Sequence, residues 1–238
     1  MPSSPFATRL GLALPIVQGP MTGSDTPALA AAVSQAGGLG MLGCGMRSPA
    51  AMAEVAAEVR RRTDRPFGMN LFVQATPTPD EATVVAALQR LAPFYAELGL
   101  VPERPAQWCE DFGAQFDALV AARPAVASFT FGILSAAQVA RLQAAGSTVI
   151  GTATTVAEAR AWAAVGADAV CASGMESGGH RGTFLSPGHD APPVGGPSVD
   201  DFEASMLGTL TLVRQCVDAL PSTPIIAAGG IMDGRGIA

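Results

Sequence analysis

The 238-residue sequence predicts an α/β fold: a TIM-type (β/α)8 barrel that stops after its seventh strand. Three observations predict it. Short apolar runs alternate with Ala-rich helical stretches, the pattern of a parallel sheet covered by helices. A helix-to-strand junction recurs as Gln35-Ala36-Gly37-Gly38-Leu39, Ala144-Ala145-Gly146-Ser147-Thr148 and Ala164-Val165-Gly166-Ala167-Asp168. No hairpin signal interrupts seven successive βα units, which favours a barrel over a doubly wound sheet.

In chain order, the apolar runs 15–18, 39–42, 67–72, 126–129, 148–152, 169–172 and 224–228 are the expected strands. Helices are expected over 26–36, 49–62, 79–98, 136–145, 156–165 and 202–220. Thr26-Pro27 combines an N-cap with proline at the first helical position, and Ser135 and Thr155 can cap their helices. Gly37, Gly99, Gly146 and Gly166 stand where helices end on a left-handed glycine. Residues 99–123 read as an inserted helical excursion within a single domain spanning 1–238, and the Pro-rich stretch 183–200 as a long loop that could cover the site. A closed barrel of this type needs eight strands. The eighth is missing, so the expectation is a truncated sequence or a unit supplied from elsewhere.

Composition narrows the function classes. Hydrophobic residues make up 49% and charged residues 14%, with a formal net charge of -6. The longest basic run, Arg60-Arg61-Arg62, closes a helical pattern where cations suit the dipole. A nucleic-acid partner is therefore not expected. Four scattered cysteines, Cys44, Cys109, Cys171 and Cys216, lack metal-ligand spacing and suggest reduced thiols in a cytosol. No signal peptide or membrane span is expected, and no metal cluster. The expected partner is a small molecule, with a homo-oligomer left open.

If the barrel forms, the ends of its strands bring five segments to one face. They are Gln18-Gly19-Pro20-Met21-Thr22-Gly23, Asn70, Ser128-Phe129-Thr130-Phe131-Gly132, Gly178-Gly179-His180, and Gly229-Gly230. Adjacent glycines let backbone approach a ligand closely, and His180 can move a proton near neutral pH. Gly229-Gly230 reads either as half a phosphate cradle or as a plain tight turn. Asn70 can use both halves of its amide on a flat heteroaromatic ligand, or can cap a strand. Pro20-Met21 offers an apolar surface for a ring, or belongs to the core. Glu176 fixes its loop or hydrogen-bonds a ligand, and His189 belongs to the surface or to a lid. With no metal spacing, no nucleophile elbow and no dinucleotide fingerprint, a non-metal cofactor is the economical source of chemistry.

These segments, together with Thr26-Pro27, Ala36-Gly37-Gly38-Leu39-Gly40, Asn70-Leu71-Phe72 and Glu176-Ser177-Gly178-Gly179-His180-Arg181-Gly182, resemble the nitronate monooxygenase family, the former 2-nitropropane dioxygenases. The resemblance runs from Pro15 to Ala238. It implies an FMN-binding barrel that oxidises alkyl nitronates, with nitroalkanes as a further substrate class left open, using O2 to give carbonyl compounds and nitrite. By the same resemblance, His180 is the catalytic base or a proton-positioning group near the flavin. Asn70, Gly178, Gly179, Gly229 and Gly230 hold FMN, with Pro20 and Met21 against the ring. Ser173 stands where the family commonly has a flavin-contacting Gln. Ser177 replaces the usual Ala, and the resulting Glu-Ser-Gly-Gly-His form is similar instead to FMN-dependent enoyl-acyl-carrier-protein reductases. An enoyl or NAD(P)H:quinone reductase is thus the alternative enzyme, and a non-catalytic truncated barrel the alternative of another class.

Overall fold

Chain entry to the helices follows a repeated local rule. Ser4, Thr26 and Ser48 accept backbone N–H groups of the first turn and precede a proline that opens α1 (Pro5–Arg9), α2 (Pro27–Gln35) and α3 (Pro49–Arg62). A side-chain oxygen at the N-cap satisfies an orphan donor, and proline there gives up no hydrogen bond. In the computed structural model, which describes residues 4–189, 192 and 197–237, the remaining helices are α4 (Glu81–Glu97), α5 (Phe112–Ala122), α6 (Ala136–Ala144), α7 (Val156–Ala164), α8 (Val199–Ala204), α9 (Thr209–Ala219) and α10 (Gly234–Ile237). Ser135 and Thr155 cap α6 and α7, as their positions predict. Gly37, Gly99, Gly146 and Gly166 all adopt positive φ just past helix ends.

The strands are β1 (Gly40–Gly43), β2 (Phe67–Phe72), β3 (Val126–Thr130), β4 (Thr148–Ala153), β5 (Ala169–Ser173) and β6 (Ile225–Ala228). Every pair is parallel and the spatial order is the sequence order, β1 to β6. This is an α/β barrel wall, open among the described residues between β6 and the 15–18 segment.

Three expectations are corrected. The first strand, 15–18, shrinks to a single parallel bridge, Val17 with Leu39. Its pairing consists of Leu39 N–H on Ile16 O at 2.9 Å and Gln18 N–H on Leu39 O at 3.0 Å, and the next acceptor back, Gly37 O, is taken by Leu14 N–H at 2.9 Å. The Gln18 side chain then carries the ladder on, donating to Met41 O at 3.2 Å. The expected helix 202–220 is two, α8 and α9. Met175 N–H takes Leu207 O at 2.8 Å and Glu176 takes Thr209 N–H at 2.8 Å, so tertiary bonds break the helix at Gly208. The excursion 99–123 contains α5, which packs against α3 and β2 as an ordinary crossover helix.

Side chains alternate across the sheet. The outer face, with Met69, Leu71, Phe129, Val149, Val170 and Ala172, meets the helices around fully buried Trp162. The inner face has a second, smaller core: Leu39, Met41, Val126, Ile150 and Ala169, closed from the N-terminal end by Phe6, Leu10 and Leu12 of and after α1. No helix among the described residues is long and apolar enough to cross a membrane.

Candidate active site

The upper inner face is polar where the lower is apolar. Asn70 on β2 is buried, and its amide donates to Ser128 Oγ at 3.0 Å and Thr130 Oγ1 at 3.4 Å on β3. Thr130 and Thr152 share this face, both within reach of a Cβ placed on Gly182. Ser173 ends β5 and donates to Ser177 Oγ at 2.9 Å, and Ser177 donates to Ala228 O at 3.1 Å. Ser173 and Ser177 thus tie the β5 loop to the end of β6.

Cys171, between these levels on β5, has its thiol pushed up to about 11 by burial, so it stays neutral. Cys44, beside β1, is pushed to about 11 by the same cause.

The glycines divide into two kinds. Gly229 has φ 117°, and a Cβ there would stand 2.6 Å from Thr209 Oγ1 and 2.7 Å from Ser177 Oγ. Its glycine is therefore required by packing. Gly178 and Gly179 face open space, with nothing within 4 Å of a Cβ position. Gly230, also at positive φ, lies against Glu176.

His180 is exposed at the end of this open stretch. Its ring stands perpendicular to Phe131, centroids 6.1 Å apart at 84°, and Phe131 packs edge-on to Phe72 at 4.8 Å. Phe131 adopts φ 71°, one of two non-glycine residues with positive φ among the described residues. The left-handed region is costly for a bulky side chain and recurs at functional sites. Pro20 and Met21 are exposed beside the end of β1. His189 is exposed. The Pro-rich loop 183–200 starts inside the protein: Thr183, Phe184 and Leu185 are buried, and Phe184 packs on Trp162. Its residues 190, 191 and 193–196 lie outside the described residues.

Four side chains that sequence reasoning passed over hold these loops. Asp25, whose side chain is 0% exposed, accepts from Met21 N–H at 3.1 Å and Gly43 N–H at 2.5 Å, and pairs with Arg47 at 2.7 Å. Gln115 of α5 donates to Cys44 O at 3.1 Å and Arg47 O at 2.8 Å. Glu158 of α7 is fully buried and binds the start of the 183–185 segment. Arg181 donates to Ser205 O at 2.5 Å. A lone Gln in the apolar run Phe112-Gly113-Ala114-Gln115-Phe116 was the readable signal for one of them. Glu176 fixes its loop: Thr209 Oγ1 donates to it at 2.8 Å, and this bond, with the Thr209 N–H, holds its carboxyl below the usual range.

Among the described residues no cluster of His, Cys, Asp and Glu could hold a metal ion. The carboxylates brought to this end, Asp25, Glu158 and Glu176, all accept hydrogen bonds from the protein's own groups. The groups gathered at this end are the Asn70 amide, the Ser128, Thr130 and Ser173 hydroxyls, the open Gly178-Gly179 backbone and the His180 imidazole.

Residues 4–238 match the family model described as nitronate monooxygenase. A nitronate monooxygenase of Pseudomonas aeruginosa is 43% identical over 237 residues, covering 98% of this chain and 63% of that protein. A crystal structure of nitroalkane oxidase from Streptomyces ansochromogenes aligns with TM-score 0.82 and 39% identity, over 96% of this chain and 62% of that one. FabK from Thermotoga maritima aligns at TM-score 0.67 and 29% identity, over 98% of this chain and 56% of that one. The chain thus spans a little over three fifths of the length of the curated relatives it matches.

Proposed function

The chain belongs to the nitronate monooxygenase family, and on that premise we propose that it is the FMN-binding, catalytic portion of an enzyme that oxidises alkyl nitronates with O2 to carbonyl compounds and nitrite. The observation that carries this reading is the placement of His180, perpendicular to Phe131, between the open Gly178-Gly179 backbone and a polar strand-end surface.

The residues present fit a flavin. Asn70, Ser128, Thr130 and Ser173 form a neutral set of donors and acceptors, suited to a flat heterocycle that carries both. The open positions at Gly178 and Gly179 leave backbone bare for close approach. Asn70, Ser173, Gly178 and Gly179 would hold the ring and its chain, Gly229 and Gly230 the phosphate, and Pro20-Met21 one face. The chemistry that FMN supplies when bound is acceptance of electrons from the electron-rich nitronate carbon and their delivery to O2.

The chain's own residues do the rest. For a neutral nitroalkane, a ring nitrogen of His180 removes the proton α to the nitro group, and the charge moves onto the nitro oxygens. A preformed nitronate needs no such step. The carboxylates of Asp25 and Glu158 are buried and hydrogen-bonded, out of reach of an anionic substrate, and that of exposed Glu176 is engaged by Thr209. Phe131, itself backed by Phe72, packs against the imidazole on one side.

His180→Asn should retain FMN and lose turnover of neutral nitroalkanes; an unchanged kcat would refute the assigned role. The similarity to FabK and the structural use of Ser177 favour a flavin-dependent reductase as the second reading. Anaerobic bleaching of the flavin spectrum by propyl nitronate, and not by NADH or NADPH, supports the first reading. Bleaching only by a nicotinamide supports the second. A protein that takes up no FMN would be a non-catalytic barrel.

A further inference from the structure

We infer that Glu158 is a positioning residue for His180, acting from α7 through the segment Thr183–Leu185. The inference rests on the reading of His180 as the base. Glu158 is fully buried, and its carboxylate accepts four hydrogen bonds. Oε2 takes Thr154 N–H at 2.7 Å and Thr154 Oγ1 at 2.8 Å. Oε1 takes Phe184 N–H at 2.5 Å and Leu185 N–H at 3.0 Å. Thr154 Oγ1 also lies 2.8 Å from Thr183 Oγ1. One side chain therefore joins the end of β4 to the backbone that follows the imidazole.

The geometry leaves the loop little freedom. Its near end is fixed where Ser177 meets Ala228 O and Glu176 meets Thr209. Its far end is fixed by Glu158. Only 178–182 lies between, and Gly182 is pressed so closely on Thr130 and Thr152 that a Cβ would stand 2.9 Å from Thr130 Cγ2. Arg181, which follows His180 in the chain, has a buried Nε with no hydrogen-bond partner among the described residues. Burial pushes its guanidinium below the usual range, the charge of Glu158 opposes that shift, and Ser205 O accepts a hydrogen bond from it. Glutamine at 158 keeps one acceptor oxygen and turns two N–H donors toward groups that are themselves donors, so one half of the clamp opens.

The chain has two histidines, which makes the position of His180 directly readable. In a 1H–13C spectrum of the imidazoles, the Phe131 ring current displaces the His180 signals, and Phe131→Leu marks where they fall without it. Glu158→Gln is expected to move the His180 signals toward that mark and leave those of His189 in place. Unmoved His180 signals in a folded Glu158→Gln protein would overturn the inference. Should that variant fail to fold, Thr154→Val removes a hydroxyl donor to the carboxylate and the link to Thr183. It should move the same signals, and no movement overturns the inference.

In FMN-loaded protein, kcat on a neutral nitroalkane should fall on the order of a hundredfold in Glu158→Gln with KM nearly unchanged, as expected for a misplaced catalytic group. Turnover of preformed nitronate should fall much less. Equal loss on both substrates would mark Glu158 as scaffold alone and overturn the inference. A wild-type chain without activity would count against the proposed function, while the imidazole spectra would still decide the role of Glu158.

Discussion

Asp25 and Arg47 form an ion pair at 2.7 Å, the carboxylate fully buried and the guanidinium 19% exposed, that joins the loop before α2 to the end of β1. Arg47 also donates to Gly43 O at 2.5 Å, while Asp25 holds Gly43 N–H. The pair thus grips both sides of one residue at the rim of the site. Taking one partner away leaves an uncompensated buried charge. Arg47→Met should lower the free energy of unfolding by about 3 kcal/mol, the lower end for such pairs because the guanidinium keeps some water. Urea denaturation measures it, and a loss below ~1 kcal/mol would show that the pair contributes no more than a surface one.

Gly178 and Gly229 should respond oppositely to the same substitution. Gly178→Ala meets nothing within 4 Å and should leave the melting temperature nearly unchanged while weakening FMN binding. Gly229→Ala combines φ 117° with a 2.6 Å approach to Thr209 Oγ1, and should cost about 2 kcal/mol or more of stability. Thermal melts and flavin fluorescence titrations on the two variants separate the roles. Loss of stability in Gly178→Ala with unchanged FMN affinity would contradict the cradle.

Glu176 sets a pH dependence. Its carboxyl is held below the usual range by the Thr209 hydroxyl and N–H, so its folded-state pKa lies under the unfolded value of about 4.3. A depressed carboxyl contributes stability that is complete above the unfolded pKa and is lost as pH falls through the folded one. The difference in melting temperature between the wild type and Glu176→Gln should be widest above about pH 5 and close as the pH drops further. A gap that stays constant down to pH 3 would remove Thr209 as the cause.

Sequence periodicity exposed the grammar of the fold because the strands and capped helices obey local rules. Thr26, Ser135 and Thr155 act as caps because their side chains need only the next turn of backbone. Where a distant group intervenes, local reading fails. The break at Gly208 is made by Met175 and Glu176, more than thirty residues back along the chain. Thr155 caps α7 locally, while Glu158, three residues on, turns to Thr154, Phe184 and Leu185. His180, Asn70 and the glycines stood out because their residue types are chemically unusual at strand ends. Asp25, Arg47 and Gln115 are ordinary polar residues whose importance lies in partners that only folding brings near.

The inner face of the sheet passes from the apolar layer of Met41, Val126 and Ile150, sealed by α1, to the hydroxyl and amide layer of Ser128, Thr130 and Thr152. On the proposed function, stability and recognition are therefore stored at opposite ends of the same strands. For directed evolution this is a favourable partition: mutations at the upper positions sample new ligands while the apolar layer that sustains folding is left intact. A lineage of such proteins can drift in substrate without passing through unfolded intermediates.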